Sequence, residues 1–434
     1  MSTVSADKNR WLIAISAVAI HLSIGSIYAY SIYQIPLNES LDWSTSSVTL
    51  AFSIAVFVLG FTAAFLGKYV EKYGPRKSGL AAAVLYGLGM VGAGLSVQLG
   101  SLPLFLATFG VVGGMGIGLG YITPIGTLVE WFPDRRGMAT GLAVMGFGAG
   151  ALLTSPVGNE LMLRFSSGAA DYTTGGIATT FYVLGALYFV LMAAGASYLK
   201  KPPEDWLPET MHDIEDAQEQ ATGSLPGLNI LSAAEARTTP RFALIWGIVF
   251  INITAGIMLL AFASPMLQEI GGATATTAAF ITGYIGIFNG GGRIFWSTLS
   301  DYVGRTTTYA AFMVIQIVAF FVMAQIAGVW ALAALLFLII TCYGGGFACL
   351  PAYLSDLFGT KDVSAIHGYA LTAWAIAGVV GPQIASYVVE TTGNYTNALY
   401  VVNGLLVVGL ILVIVLWRRL DSAEKASTSS TTSA

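Results

Sequence analysis

Twelve apolar stretches, each about as long as a membrane-crossing helix, alternate with polar connections along this chain. They cover roughly 11–36, 48–67, 78–98, 102–126, 138–162, 178–199, 242–267, 277–299, 307–327, 330–354, 364–389 and 396–417. About 20 residues rising 1.5 Å each span the ~30 Å hydrocarbon layer, so the pattern predicts twelve transmembrane helices. The first stretch reaches Pro36 with no small-residue cleavage site after a short apolar core, and is expected to stay with the mature protein. A longer polar stretch, opening Lys200-Lys201-Pro202-Pro203, separates six spans from six. The expected units are a six-helix bundle over 1–199, a linker over 200–240, a second six-helix bundle over 241–417 and a tail over 418–434. Within the linker, Ser232-Ala-Ala-Glu235 has the capping-box pattern that opens a short helix.

Composition agrees with a bilayer: 56% of residues are apolar and 10% charged, which excludes an ordinary water-soluble domain. Seventeen of the nineteen Lys and Arg residues fall on one side of the spans, leaving Arg164 and Arg293. The positive-inside rule then places both termini and the linker in the cytoplasm, with the spans in a cell membrane. The net charge of −4 comes largely from acids in the linker, and nothing suggests nucleic acid binding. Cys342 and Cys349 lie about 10 Å of helical rise apart, beyond disulfide reach, and read as small core side chains. No cluster of Cys, His or acids has metal-ligand spacing and no nucleophile–base–acid set is visible. No metal, cofactor or enzyme chemistry is therefore expected.

The two halves echo one another. Gly67-Lys-Tyr-Val-Glu71-Lys72-Tyr-Gly74-Pro75-Arg76-Lys77 follows the second span, and Ser297-Thr-Leu-Ser-Asp301-Tyr-Val-Gly304-Arg305 follows the eighth. Each places an acid, then a glycine three residues on, then a basic residue. A second echo joins Glu130-Trp131-Phe132 to Asp356-Leu357-Phe358, each acid followed 26 residues later by a proline, Pro156 and Pro382. Such duplication marks transporters that rock one half against the other. These residues resemble the major facilitator superfamily, whose loop signature is matched at Gly67, Lys72, Gly74 and Lys77, with Glu71 and Pro75 departing from it. The resemblance implies an all-α membrane protein with twelve transmembrane helices in two pseudo-symmetric six-helix bundles. It also implies a gating role for Gly67, Glu71, Lys72, Gly74, Asp301, Gly304 and Arg305, through charge-assisted bonds that form in one conformation and break in another.

Arg293, in Phe288-Asn289-Gly290-Gly291-Gly292-Arg293, falls inside the eighth span. An arginine at membrane depth costs roughly 2.5–3.5 kcal/mol on insertion scales, so it normally faces protein, water or a ligand. No acid lies near midplane in any expected span, and a substrate anion would supply the missing countercharge. Snorkelling to the cytoplasmic side, about 9 Å of helical rise away, is the alternative. Helical side chains tilt toward the N-terminus, however, which aims this guanidinium back toward midplane. Asn289, one turn earlier, either orients the guanidinium and bonds a substrate oxygen or serves helix packing. The three glycines allow close helix approach or a local distortion.

Trp131-Phe132-Pro-Asp134-Arg135-Arg136-Gly-Met138-Ala139-Thr-Gly141-Leu-Ala143-Val-Met145-Gly146-Phe-Gly-Ala-Gly150 resembles the monocarboxylate transporter signature, matching it at Phe132, Arg135, Arg136, Ala139, Gly141, Ala143, Gly146 and Gly150. Trp131, Asp134, Met138 and Met145 depart. Gly25-Ser-Ile-Tyr28-Ala-Tyr30-Ser31 is similar to the first helix of the related oxalate/formate antiporters. The resemblance implies that Arg293 binds a carboxylate and that Tyr121 contacts substrate, with Arg135 and Arg136 assigned to gating. Animal relatives carry an Asp for proton coupling where this chain has Asn289, and the oxalate exchanger carries a Lys in its eleventh helix where this chain has no cation. One fixed positive charge matches one carboxylate, because a dianion would leave a charge unpaired. A short monocarboxylate of the lactate and pyruvate class is expected, carried with a proton or by exchange by a monomer in the lipid bilayer. An oxalate/formate-type exchanger and a transporter-derived sensor are the rivals.

Tyr28 and Tyr343 are further candidates for hydroxyl donors to the substrate, with local packing as the other reading. Trp374 reads as packing or a cavity wall. His21, inside the first span, is either a neutral hydrogen-bonded side chain or a proton carrier. His367 reads as structural, and His212 lies in the linker.

Overall fold

The computed structural model describes residues 8–132, 136–166, 172–203, 228, 230–359 and 362–432; within these, the side chains of 67, 68, 71, 136–140, 143, 144, 364, 423, 424 and 426–432 are outside the description. Among the described residues, twelve long helices follow one another: α1 (Arg10–Leu41), α2 (Thr45–Tyr73), α3 (Pro75–Gln98), α4 (Leu102–Trp131), α5 (Arg136–Phe165), α6 (Thr174–Tyr198), α7 (Pro240–Glu269), α8 (Ala275–Val303), α9 (Arg305–Met323), α10 (Val329–Phe358), α11 (Val363–Thr392) and α12 (Tyr395–Thr432). Counting the described residues alone, ten are long and apolar enough to cross a membrane; α5 and α8 are equally long and rich in glycine.

Local chemistry sets the helix ends. The side chains of Asn9, Ser44, Thr173, Thr239 and Thr274 accept from backbone N–H groups in the first turns of α1, α2, α6, α7 and α8, satisfying donors that a helix start leaves unpaired. The turns α2–α3 and α8–α9 pass through Gly74 at φ 81° and Gly304 at φ 87°, a backbone that a side chain would strain. Each glycine lies three residues after the acid of the sequence echo, so the repeated pattern encodes a repeated turn. A third instance closes α10, where Gly359, three residues after Asp356, has φ 85°.

α1 contains a tighter 3-10 stretch from Gly25 to Tyr33 and continues to Leu41, beyond the expected end at Pro36. Pro36 falls in the first turn after that stretch, where its missing N–H costs little. α12 also outruns its apolar stretch and stays helical to Thr432. In the linker, residues 204–227 lie outside the described residues. Its distal end folds as read: Ser232 and Glu235 form the capping box that opens a short helix, Ala233–Ala236. That end docks on the second bundle, with Leu231 N donating to Phe358 O at 2.9 Å and Ala233 N to Asp362 Oδ2 at 2.9 Å.

Within the first bundle α3 packs on α6, and within the second α8 packs on α10. Between the bundles, α2 lies against α11, α5 against α8 and α1 against α7. The glycine-rich helices α5 and α8 thus face each other across the interface. Bulky side chains such as Val190, Ile294 and Phe295 are exposed on the outside, as a lipid-facing surface requires. Lys8 lies over the Tyr198 ring, Trp131 Nε1 donates to Lys200 O, and Arg305 meets Asp356, so the helix junctions rich in basic residues gather on one face, called here the basic face.

Candidate functional site

α8 brings Arg293 to the wall of a cavity of about 540 Å³ between the bundles. The cavity is lined by Tyr28, Tyr121, Phe147, Phe347 and Trp374 around the guanidinium, and extends along α2 and α11 past Phe65 and His367. Arg293 Nε donates to Asn289 Oδ1 at 3.3 Å, one turn back along α8, and the guanidinium carbon lies 5.1 Å from the Phe347 ring centroid. Both contacts hold the group toward the middle of the helix, as the backward tilt of helical side chains requires. Among the described residues Arg293 forms no ion pair; the ion pairs present join Lys201 to Glu130, Arg305 to Asp301 and Asp356, and Lys425 to Asp421. The cation is therefore supported by an amide and an aromatic face and leaves most of its five N–H donors available.

Asn289 is buried, its oxygen used by Arg293 and its Nδ2 without a partner. The three glycines before Arg293 leave α8 a continuous helix, and a Cβ on Gly292 would strike the Thr341 backbone of α10. Gly292 provides close helix approach, while Gly290 makes ordinary contact with Met145 and Gly291 has open space. Tyr28 from α1 and Tyr343 from α10 meet across the interface with hydroxyls 3.3 Å apart. Tyr121 stands edge-on to Phe147, ring centroids 5.6 Å apart, and 6.4 Å from the Trp374 ring. Of the sequence candidates, Arg293, Tyr28 and Tyr121 line the cavity, while Asn289 and Tyr343 are buried behind it, in contact with Arg293 and Tyr28.

His21 is not part of the cavity wall. It is fully buried behind Tyr121, ring centroids 5.7 Å apart, with Nδ1 donating to Ala17 O at 3.1 Å and Nε2 unpartnered. His367, read from sequence as structural, lines the cavity on the basic-face side of Trp374. Phe147 and Phe347 were not singled out by sequence reasoning. Phe347 carried a usable signal, since it lies four residues from Tyr343 and shares its helix face.

Of the gating candidates, Asp301, Gly304 and Arg305 come together at the basic face. Arg305 pairs with Asp301, donates to Ser300 Oγ and lies 3.7 Å from Asp356 Oδ2, linking α8, α9 and α10. Lys72 is exposed, with its ammonium 5.3 Å from the Tyr73 ring centroid, and Gly74 makes the turn into α3. Arg135 and the side chains of Glu71 and Arg136 lie outside the described residues, and Gly67 is described only as helical backbone.

The bundles are joined on the side away from the basic face. There Gln34 Nε2 donates to Ala261 O at 2.8 Å, Ser264 N to Ser31 Oγ at 3.3 Å, and Gln383 Nε2 to Ser53 Oγ at 3.4 Å. Glu390 of α11 accepts from Ser46 N and Ser46 Oγ of α2 at 2.7 and 2.8 Å. α5 and α8 approach so closely that a methyl on Gly286 would run into the Gly148 carbonyl. Nearer the basic face, Gly368 on the cavity lining, and Gly126 and Gly141, have open space where a Cβ would be. The molecule is closed on one side of the cavity and parted on the other.

Two six-helix bundles around a central cavity, sealed on one side only, define a membrane transporter. The family model described as Major Facilitator Superfamily matches residues 13–252 and 245–433, and the chain belongs to that family. It is similar to the oxalate:formate antiporter of Oxalobacter formigenes, 28% identical over 390 residues that cover 89% of this chain and 86% of the relative. It is also similar to apicoplast pyruvate carrier 1 of Toxoplasma gondii, 25% identical over 81% of this chain and 71% of that one, and to mouse monocarboxylate transporter 14, 20% identical over 93% and 89%. Among solved structures, the inward-open xylose transporter XylE of E. coli superposes with a TM-score of 0.70 at 18% identity, covering 94% of this chain and 96% of that one. That likeness establishes the fold alone.

Proposed function

We propose that this chain is a secondary active carrier of a short monocarboxylate of the lactate and pyruvate class, bound by Arg293 and exposed alternately to the two sides of a cell membrane. The observation that carries the reading is a cavity-facing guanidinium with no acidic partner among the described residues. A carboxylate accepts two parallel N–H bonds from such a group and neutralises it, with Tyr28 and Tyr343 supplying hydroxyls and Tyr121 an aromatic wall. Arg293 is the one Lys or Arg on the described lining, which fits a single negative charge better than two. The printed names of the relatives include a pyruvate carrier and monocarboxylate transporters, in keeping with this class.

In this reading the basic face is cytoplasmic and the carrier, acting as a monomer, is open to the cytoplasm. Asp301, Arg305, the matching residues Glu71 and Lys72 of the first bundle, and Arg135 and Arg136 between α4 and α5 exchange partners as the bundles rock. Coupling is to a proton or to a counter-anion; His21, buried behind Tyr121, is the candidate proton carrier. Uptake into proteoliposomes under an acid-outside gradient, against counterflow from preloaded vesicles, separates the two.

The test of the site is uptake of radiolabelled lactate and pyruvate, with oxalate and formate as competitors. Arg293→Ala is expected to lose about 100-fold or more in affinity, from two charge-assisted bonds of roughly 1.5–3 kcal/mol each. Wild-type affinity in that variant, or accumulation of oxalate without competition from lactate or pyruvate, would refute the assignment. The sequence of the oxalate:formate antiporter makes that exchange the second reading.

A further inference from the structure

The cavity is larger than the carboxylate contact needs. Its volume of about 540 Å³ suits a drug-sized ligand rather than a three-carbon acid, and the part beyond Arg293 runs between α2 and α11 toward the basic face. Helix contacts give that part its shape. A methyl on Gly60 would lie 2.9 Å from the Ala375 Cβ and one on Gly378 would strike Val56, so α2 and α11 touch at those levels. Seven residues from Ala375 toward the basic face, Gly368 has open space where a Cβ would be. The two helices therefore part as a wedge.

The walls of the wedge are largely apolar. α2 lines it with residues such as Phe61, Ala64 and Phe65 and, among its described residues, with no polar side chain, while α11 faces it with Leu371 and Ala375. The rings of Phe61 and Phe65 lie in a row, centroids 5.7 Å apart, and are 41% and 65% exposed. Polar residues of α11 in the same stretch are engaged: the Thr372 hydroxyl accepts from Trp246 Nε1 at 2.9 Å and donates to Tyr369 O at 2.7 Å, and Arg237 lies 5.7 Å from the Tyr369 ring centroid. His367 stands near the mouth.

A guanidinium without an acidic partner among the described residues calls for an anionic head. Aromatic rings left exposed on a concave wall call for apolar cover, because covering them removes surface from water. We infer that the site takes a further class of ligand: monocarboxylates with an apolar tail of several carbons, the head on Arg293 and the tail in the wedge against Phe61, Phe65 and Leu371. Such a tail adds no second charge, in keeping with a described lining whose one Lys or Arg is Arg293. This extends the carboxylate reading of Arg293, on which it rests, from lactate and pyruvate to longer acids.

Burying one methylene changes affinity by up to about fourfold, so chain length is the variable to test. The experiment is displacement of radiolabelled pyruvate from the full-length carrier in nanodiscs by straight-chain acids from propionate to octanoate, with octanol as a tail without a head. In wild type, affinity is expected to rise about twofold to fourfold with each added carbon. The double variant Phe65→Asn, Leu371→Asn is expected to flatten that rise to less than about 1.5-fold per carbon while propionate stays within about twofold. Arg293→Ala is expected to lose acids of every length, and octanol is expected not to compete.

Affinity that is flat or falls with length would overturn the inference, and so would an unchanged rise in the double variant, since the tail would then lie elsewhere. A rise that persists in Arg293→Ala, or displacement by octanol, would assign the effect to the bilayer and overturn it as well. Direct binding of radiolabelled octanoate separates the two readings. Octanoate held by wild type and lost in Arg293→Ala, with no binding of pyruvate, would keep the tail site and sink the short-acid reading; failure of both labels to bind would sink both.

Discussion

Gly286→Ala on α8 tests whether the sealed side of the cavity is held by backbone contact. A methyl there would run into the Gly148 carbonyl of α5, and one on Gly148 would sit 2.9 Å from the Gly286 carbonyl oxygen. Neither backbone can yield as a flexible side chain would. Overpacking of this kind costs typically 1–3 kcal/mol. The cost falls on the present conformation alone, because α5 and α8 belong to different bundles and separate on this side when the other state forms. Strain of 1–3 kcal/mol in one of two states shifts their ratio by about 5- to 150-fold. The expected result is a carrier displaced toward the state open on the side away from the basic face.

The assay is the labelling rate of a cysteine in place of Ser53 by a membrane-impermeant thiol reagent applied from that side. Ser53 is fully buried and faces the interface, where it accepts from Gln383 Nε2. Cys342 and Cys349 are both buried, which keeps the background low. Labelling is expected to accelerate between about five- and 150-fold in Gly286→Ala. Gly291→Ala is the matched control: it lies on the same helix, a Cβ there meets open space, and its rate is expected to stay at the parent value. An unchanged rate in a folded Gly286→Ala carrier, or an equal acceleration by Gly291→Ala, would refute the reasoning.

Two further perturbations address the charged contacts at either end. Glu390→Gln removes the negative charge from the N-terminus of α2, where it accepts from Ser46 N and Oγ; the loss is about 0.3–1 kcal/mol for an exposed site, so Ser53→Cys labelling is expected to rise up to about fivefold, and an unchanged rate would dismiss the contact as a latch. Asp301→Asn removes the charged partner of Arg305 on α8 while leaving the cavity intact; maximal transport rate is expected to fall severalfold with half-saturation within about twofold, and a large affinity change at constant rate would count against a gating role.

The alternation of apolar and polar segments reports a simple choice between lipid and water, so the twelve helices and the polar stretch between them were legible before any coordinates. Local chemistry was legible for the same reason that it is local. The Ser232–Glu235 capping box, the positive-φ turns at Gly74 and Gly304, and the Arg293–Asn289 contact all lie within a few residues of sequence. What was hidden depends on how separate helices meet. Phe347 and Phe147 reach the cavity only because α10 and α5 are docked as they are, and Trp374 carried no sequence mark deciding between packing and the cavity wall it lines. The extension of α12 to Thr432 was hidden too, since beyond residue 417 the chain leaves the hydrophobic pattern and ends in a Ser/Thr run of weak helical propensity.

Asn289 explains why the cation remains unspent. An acid at that position would neutralise the guanidinium in the empty carrier, and substrate would then compete with a covalently tethered carboxylate at very high effective concentration. The amide instead accepts one bond from Arg293 Nε through Oδ1 and keeps its Nδ2 as another donor. On the proposed carboxylate reading, the guanidinium then stays available to an incoming anion. A part-buried charge without an acidic partner would disfavour the empty state, and a bound carboxylate would remove that penalty as it adds contacts. On the same reading, substrate would let the charge cross the apolar interior as a neutral pair, which would tie occupancy of the site to the movement of α5 against α8.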